Sequence, residues 1–343
     1  MPRVTVLMPV YNGGEFLRPA IESVIGQTYT DFEFLIIDDG STDSSFAVCQ
    51  EYRDRRIRLV RNEANLGLIA TLNKGLELCE GEFIARMDCD DICLPWRLEK
   101  QLAFLDAHPD IGICGTWFEK FYGNCSQIMR VPVEDAHIRF SLVMDNAFGH
   151  NTILMRREVL ERHGLRYDPD YRYAEDYEFW VRCSAHTRLA NLPEVMVRYR
   201  YHPGNTSNRF RREQGATADR VRRRQFERLG LALDEDTLAL FNSLVKFEFR
   251  GDLRRLAQAG SGLVALADRV ADRLGIPRAF AYRKLGPHWY GACGSLADEG
   301  LRVWSLFLST PIGRRALWTW GWKLLARCAA HRPITGPGLG EGL

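Results

Sequence analysis

Three aspartates stand close together after an apolar stretch that ends at Met87. Asp88, Asp90 and Asp91 follow it within four residues. In an extended chain, residues two apart face the same side, so the carboxylates of Asp88 and Asp90 can converge on one point. Paired hard oxygen donors favour Mg²⁺ or Mn²⁺. An ordinary acidic turn after a strand explains the same residues, and the spacing alone leaves both interpretations open.

A second acidic segment, DDGSTD, begins at Asp38 directly after another apolar run. Ser41 or Thr42 in this segment is a typical cap for a following helix. Asp38 differs because it ends a predicted buried strand, where its carboxylate can accept a hydrogen bond from the ring N–H of a nucleotide base. Tyr11, at the end of the first apolar run, can stack on that base.

Apolar runs and periodic stretches predict the elements that position these residues. The predicted strands are Val4–Val10, Phe32–Ile37, Ile57–Val60 and Phe83–Met87, and the predicted helices are Glu15–Gln27, Ile69–Leu78 and Pro95 to about Ala107. Runs without alternation are typical of strands covered on both faces, so the order indicates an α/β fold with a parallel sheet. Ligands bind beyond the carboxyl ends of such strands, where both acidic segments lie.

The rest of the chain divides into a mixed part and a helical part. Short strands are predicted at Ile111–Trp117, Ile153–Met155 and Val195–Tyr201, with helices at Arg157–His163 and Glu175–Ala185. From residue 209 onward Ala, Leu and Arg dominate, and we expect helices. The expected domains are 1–208 and 209–332, followed by a flexible tail over 333–343.

Composition narrows the class of protein. A hydrophobic fraction of 46% over 343 residues supports an ordinary core and excludes disorder for most of the length. The net charge of +2 excludes a polycation, and no nucleic-acid partner is expected. Nine single cysteines without a CxxC pair indicate reduced thiols in a cytoplasmic protein, not a disulfide framework or a zinc site. No apolar run predicts a spanning helix, and the N-terminal run does not fit a signal peptide.

Four blocks in a fixed order carry a resemblance to a known family: VTVLMPVYNG, LIIDDGSTD, NEANLGLIATLNKGLELCEGEFIARMDCDD and YAEDYEFWVRC. With LPEVMVRYRYHPGNTS they cover roughly Val4 to Ser207, and the chain resembles the bacterial, inverting family 2 glycosyltransferases. The resemblance implies a GT-A fold, Rossmann-like with a mostly parallel sheet, plus a C-terminal helical region. It also implies transfer of a sugar from a nucleotide-diphosphate sugar, by family habit a UDP-sugar, to an acceptor hydroxyl in surface polysaccharide or glycan synthesis. The implied cofactor is Mn²⁺ or Mg²⁺.

The resemblance further implies roles for individual residues. The nucleotide-sugar-binding residues would be Pro9, Tyr11, Asp38, Asn65, Gly67, Arg86 and Asp88. Asp90 would contact the metal, and Asp176 would be the catalytic base. His202 stands where some members place a metal or phosphate ligand, and a turn residue before Pro203 is the alternative. Asp176 also has an alternative, because acidic residues favour the first turn of a helix.

Two alternatives concern the protein as a whole. A non-catalytic nucleotide-sugar-binding or scaffolding protein on the same fold is the alternative to an enzyme, and the complete set of polar site residues favours the enzyme. From Arg302 to Arg332 there are six basic residues, no acidic ones and four of the eight tryptophans. This composition suits a helix on an anionic membrane surface, on the inner face of the cytoplasmic membrane, with a lipid-linked glycan as acceptor. A small helical cap with core tryptophans is the alternative.

Overall fold

The first four strands follow the apolar runs closely. In the computed structural model, which describes residues 1–202 and 204–334, they are β1 (Val4–Val10), β2 (Phe32–Asp38), β3 (Ile57–Arg61) and β4 (Phe83–Arg86). They are parallel and lie side by side in the order β3-β2-β1-β4. Every residue of β1, β2 and β4 is buried, as expected for strands covered on both faces. The predicted parallel α/β sheet is confirmed.

Five further strands make this sheet mixed. They are β5 (Ile92–Cys93), β6 (Ile111–Tyr122), β7 (Cys125–Met129), β8 (Leu154–Arg156) and β9 (Arg188–Arg200). Strand β8 joins β4 to β6 in antiparallel pairing, and β6 and β9 are parallel. The sequence did not predict β5 and β7, because β5 has two residues and β7 is almost entirely exposed. Strand β9 begins seven residues before its predicted start, since its first half pairs with β6 through an irregular register.

Nine α-helices lie between residues 17 and 228 of the described chain. They are α1 (Leu17–Ile25), α2 (Ser45–Glu51), α3 (Leu68–Leu78), α4 (Arg97–Ala107), α5 (Asp135–Ser141), α6 (Arg157–Arg162), α7 (Glu175–Cys183), α8 (Thr206–Arg209) and α9 (Arg211–Arg228). The predicted capping of α2 by Ser41 or Thr42 is wrong. The helix begins at Ser45, and the Ser41 hydroxyl instead accepts a hydrogen bond from the backbone N–H of Asn12, at 3.0 Å.

The chain forms two compact units. The first comprises residues 1–138 and 146–218 and contains the whole sheet, and the second comprises 139–145 and the residues from 219 onward. The second unit contains α10 (Glu235–Val245), α11 (Leu253–Leu274), α12 (Arg278–Gly294), α13 (Leu301–Ser309), α14 (Pro311–Ala316), a π-helical turn (Leu317–Gly321) and α15 (Trp322–Ala329). The expected helical C-terminal region is confirmed. From residue 335 the expected flexible tail lies outside the described residues.

A tight core holds the helices of the second unit together. Trp289 of α12 is buried and lies directly against Gly260 of α11, where a Cβ atom would come within 2.7 Å of the Trp289 ring. Gly260 therefore allows the two helices to approach closely. Among the described residues, no helix has the length and apolar character needed to cross a membrane.

Candidate active site

Parallel pairing brings three strand ends to the same edge of the sheet. Val10, the last residue of β1, is paired with Asp38, the last residue of β2. On the other side, β4 pairs with β1 up to Arg86, and the backbone N–H of Met87 continues the ladder to the carbonyl of Leu7 at 3.0 Å. The two acidic segments that follow β2 and β4 therefore flank the end of β1, as expected for a ligand site of an α/β sheet.

Asp38 has one carboxylate oxygen in use and one open. The side chain is fully buried, and its Oδ2 lies 3.2 Å from Nε of Arg61 and accepts a 3.3 Å hydrogen bond from the backbone N–H of Ser41. Oδ1 is buried and has no hydrogen-bond partner among the described residues. An unpaired buried acceptor is costly, so this oxygen suits a donor supplied by a ligand.

Pro9 and Tyr11, two predicted nucleotide-binding residues, lie in and directly after β1, the strand that pairs with β2 up to Asp38. Pro9 is buried in β1 opposite Ile37 of β2. Tyr11 follows β1 directly and keeps 47% of its surface exposed. An exposed aromatic ring at the end of a buried strand is available to stack on a planar group.

Asp39 organises the loop that carries Asn65 and Gly67. Its Oδ1 accepts hydrogen bonds from the Asn62 side chain at 2.8 Å and the backbone N–H of Leu66 at 2.9 Å, and its Oδ2 accepts from the N–H of Gly67 at 2.9 Å. Gly67 has a φ of +88°, which favours glycine. Asn65 is exposed on this loop. Sequence reasoning did not select Asp39, and only its position directly after a buried strand could have indicated it.

Arg86, which is buried, and Asp88, which is partly exposed, form an ion pair at the end of β4. Nη1 of Arg86 contacts the Asp88 carboxylate, and Nε of Arg86 has no hydrogen-bond partner among the described residues. Burial lowers the pKa of Arg86, but the carboxylate of Asp88 raises it above its usual value overall. Arg97 of α4, also buried, donates a 2.9 Å hydrogen bond to the carbonyl of Arg86 and a 3.0 Å bond to that of Ile153. Sequence reasoning missed this supporting arginine.

His202 lies next to Asp90, although 112 positions separate them in the sequence. The Nε2 atom of His202 is 3.1 Å from Oδ2 of Asp90. Burial and the charge of Asp88 raise the pKa of Asp90, and His202 opposes that shift. The guanidinium of Arg200 donates a 3.0 Å hydrogen bond from its Nε to the carbonyl of Asp90. The end of β9 is thus held against the acidic segment.

Asp91 links the acidic segment after β4 to the end of β9. It is fully buried, its Oδ1 accepts a 2.7 Å hydrogen bond from the backbone N–H of Arg200, and its Oδ2 accepts from the side chain of Asn151. Burial, followed by the charges of Asp88 and Asp90, raises the pKa of Asp91 well above its usual value. Both Asp91 oxygens are therefore engaged within the protein, and its contacts position His202 beside Asp90.

The acidic cluster fits a hard divalent cation. Asp88, Asp90 and Asp91 each offer a carboxylate oxygen, and these atoms lie within 4.8 Å of one another. Carboxylates are the donors that Mg²⁺ and Mn²⁺ prefer. Because Asp91 already accepts two hydrogen bonds, Asp88 and Asp90 are the better ligand pair, with His202 adjacent. The predicted roles of Asp88, Asp90 and His202 remain predictions.

Asp176 lies in the first turn of α7, beside a second carboxylate. Its Oδ2 accepts a 2.6 Å hydrogen bond from the side chain of Asn146. The adjacent Glu175 is buried, and burial together with the charge of Asp176 raises the pKa of Glu175 to about 7. The positive charge of Arg86 opposes this shift of the Glu175 pKa. The role of Asp176 as the catalytic base stays a prediction.

Comparison with known proteins identifies the family. Residues 5–164 match the model of glycosyl transferase family 2. An uncharacterised glycosyltransferase of Haemophilus influenzae is 36% identical over 225 residues, which are 62% of this chain and 70% of that protein. The chain belongs to glycosyl transferase family 2. The prediction that it is an enzyme of the transferase class is confirmed.

Two further similarities support the family and the fold of this glycosyltransferase. AmsE, the amylovoran biosynthesis glycosyltransferase of Erwinia amylovora, is 34% identical over 203 residues, 57% of this chain and 75% of AmsE. The crystal structure of S. aureus TarS 1–349 in complex with UDP-GlcNAc aligns with 99% of this chain and 90% of that one, at a TM-score of 0.56 and 17% identity. The longer TarS chain is covered over only 53% of its length. The predicted GT-A fold is confirmed.

Proposed function

We propose that this glycosyltransferase moves a sugar from a UDP-sugar to an acceptor hydroxyl with inversion of the anomeric centre, using Mn²⁺ or Mg²⁺. The observation that carries the proposal is the buried, open Oδ1 of Asp38 at the same sheet edge as the Asp88–Asp90 cluster. Oδ1 of Asp38 suits the ring N–H of uracil, and the acidic cluster suits the divalent cation that accompanies a diphosphate.

The nucleotide half of the donor has matching groups along this edge. Asp38 accepts the hydrogen bond from the uracil imide, and the exposed ring of Tyr11 stacks on the base. Asn65 and Gly67 lie along the nucleotide on the loop that Asp39 holds. Fold similarity to TarS, which was crystallised with UDP-GlcNAc, supports UDP as the nucleotide.

The leaving group of the reaction is a nucleoside diphosphate, on which negative charge builds. Asp90, with Asp88 and with His202 adjacent, would hold the divalent cation. Such a cation, when bound, disperses the charge that develops on the diphosphate oxygens. Arg86 adds a buried positive charge at the same position, and its Nε remains a donor for a phosphate oxygen.

The acceptor hydroxyl must lose its proton as it attacks the sugar. Asp176 takes that proton, because a carboxylate within about 3 Å of the hydroxyl is an effective base. Asn146 holds Oδ2 of Asp176 in place at 2.6 Å. A single displacement assisted by one base inverts the anomeric centre. AmsE is named for amylovoran biosynthesis, which supports a polysaccharide or a lipid-linked glycan as acceptor.

The experiment has two stages. First, thermal unfolding is followed with UDP, GDP and dTDP, each with and without Mn²⁺, and we expect the largest stabilisation with UDP plus Mn²⁺. Second, a panel of UDP-sugars is tested with Asp176→Asn, and we expect kcat to fall by about 10³-fold. The affinity for UDP in the presence of Mn²⁺ should stay within about twofold.

Asp106→Asn is the matched control, since Asp106 is an exposed carboxylate paired with Arg3 on the surface. It should transfer sugar at the parental rate. Transfer by Asp176→Asn at the parental rate would refute the base assignment, and stabilisation by GDP or dTDP in place of UDP would refute the nucleotide assignment.

A further inference from the structure

One long helical segment near the end of the described chain exposes two tryptophans. Helix α14, the π-helical turn and α15 follow one another without a break from Pro311 to Ala329. Trp318 and Trp322, about one turn apart, are 82% and 57% exposed. Tryptophan is among the residues that proteins usually bury for the most part, so two such side chains on one helical segment need an explanation.

The exposed residues recur at helical spacing and form a continuous surface. We call this surface the tryptophan face, and its members are Arg315, Trp318, Thr319, Trp322, Lys323 and Ala326, all exposed. Arg315 and Lys323 flank the two tryptophans along the segment, and Thr319 lies between them on the same face. A stripe of this kind is typical of a helix that lies in the plane of a membrane interface.

Packing on the opposite side fixes the orientation of the segment. Ile312, Ala316, Leu324 and Cys328 are buried there. At Gly313 a Cβ atom would lie 1.7 Å from the carbonyl oxygen of Phe307, so α14 is in direct backbone contact with α13. Rotation that would bury Trp318 and Trp322 would break these contacts. The tryptophan face is thus a solvent-facing surface of the folded unit.

The charge of the region is of one sign. From residue 301 to residue 334, within the part of the chain that the structure describes, there are six Arg or Lys side chains and no Asp or Glu. Arg314 caps α13 by donating hydrogen bonds to two of its last carbonyls, which leaves the neighbouring Arg315 on the tryptophan face. A helical segment whose charged side chains are all basic is complementary to anionic lipid headgroups.

We propose that the tryptophan face binds the headgroup region of an anionic membrane. The rings of Trp318 and Trp322 enter the boundary between headgroups and acyl chains, where indole is favoured because it is both apolar and able to donate a hydrogen bond. Arg315 and Lys323 contact lipid phosphates. No described helix can span a bilayer, so the attachment is to one surface. A second copy of the chain is the rival occupant, but a symmetric contact would bring the basic side chains of two tryptophan faces together, and such like-charge pairing is unfavourable.

The test is flotation of the full chain with vesicles that contain about one third phosphatidylglycerol in phosphatidylcholine, against vesicles of phosphatidylcholine alone. Parental protein should float with the anionic vesicles, and less so in high salt, because the Debye length shortens. Trp318→Ser/Trp322→Ser should lower the partition coefficient roughly tenfold or more. Arg315→Gln/Lys323→Gln should lower it by about 25-fold on anionic vesicles, since each basic residue contributes about fivefold.

Trp96→Ser is the matched control, because Trp96 is an exposed tryptophan with a neighbouring lysine, Lys100, in the other unit. It should float like the parent, and all variants should show the parental unfolding temperature. Equal flotation of the tryptophan double variant and the parent would overturn the proposal. The proposal would also be overturned if the parental protein did not bind vesicles but formed a dimer in sedimentation velocity, and if the tryptophan double variant were a monomer.

Discussion

Two acidic segments of this glycosyltransferase look alike in the sequence and use their carboxylates differently. Each follows a buried parallel strand, one after β2 and the other after β4. In the first, Asp39 accepts three hydrogen bonds and shapes the loop to Gly67, while Asp38 keeps one oxygen open. In the second, Asp91 accepts two hydrogen bonds, while Asp88 and Asp90 face charged neighbours.

The comparison separates carboxylates that build the site from those that serve a ligand. Asp39 and Asp91 are saturated by N–H donors of the protein itself, so their contribution is to the position of loops. Asp38 retains a buried oxygen without a partner among the described residues, while Asp88 and Asp90 are paired with the side chains of Arg86 and His202. A buried acceptor without a partner destabilises the empty protein, and a ligand that supplies the donor recovers that free energy.

The largest effect is expected at the cluster after β4. Asp90→Asn removes the charge that would hold the cation, and we expect kcat/KM for sugar transfer to fall by about 10³-fold. The measurement is initial rate against Mn²⁺ concentration. Excess Mn²⁺ should restore little activity. Parental activity of this variant in the presence of a chelator would show that the cluster has no catalytic cation.

The next effect concerns stability and tests the role of Asp39. Asp39→Ala leaves the Asn62 side chain and the N–H groups of Leu66 and Gly67 without their acceptor. We expect the free energy of unfolding to fall by about 3 kcal/mol, measured by urea denaturation. The comparison variant is Asp38→Asn, which keeps a hydrogen-bonding side chain and should change stability far less. Similar losses of stability for both variants would contradict the distinction between Asp39, which positions a loop, and Asp38, which serves a ligand.

A third acidic pair, Glu175 and Asp176, extends the comparison to pH. The pKa of Glu175 is raised to about 7 in the folded protein, so the folded state binds more protons than the unfolded state between about pH 4.5 and 7. This group therefore destabilises the protein as pH rises. The free energy of unfolding of Glu175→Gln, relative to that of the parent, should rise by about 2 kcal/mol from pH 5 to pH 7. Denaturation of both proteins at both pH values measures this difference. Glu161→Gln, an exposed control, should show no such difference.

The smallest expected effect is on nucleotide affinity. Asp38→Asn replaces the open acceptor by an amide, and we expect the Kd for UDP to rise about tenfold, measured by calorimetry with Mn²⁺ present. Affinity for inorganic pyrophosphate, which has no base, should not change. An equal loss for both ligands would mean that Asp38 acts on the phosphate region and not on the base.

Local patterns predicted most of the strand positions, and they failed where the chain gave no apolar signal. β1 and β2 are predominantly apolar runs, so their bounds were predicted to within a residue. β7 is almost entirely exposed and mixes polar with apolar residues, and a tight turn brings it back to pair with β6. The cap of α2 was also wrong, because the Ser41 hydroxyl bonds instead to Asn12, on the neighbouring strand end.

By itself, the sequence determined the parallel sheet, the acidic residues at its carboxyl edge and the basic, tryptophan-rich composition of the last helices. These features depend on periodicity and composition, which are properties of short segments. Only the tertiary structure decided that His202 lies beside Asp90, that Asn146 contacts Asp176, and that Trp318 and Trp322 face outward. Such partners come from elements distant in the chain, and which groups meet is set by how those elements pack.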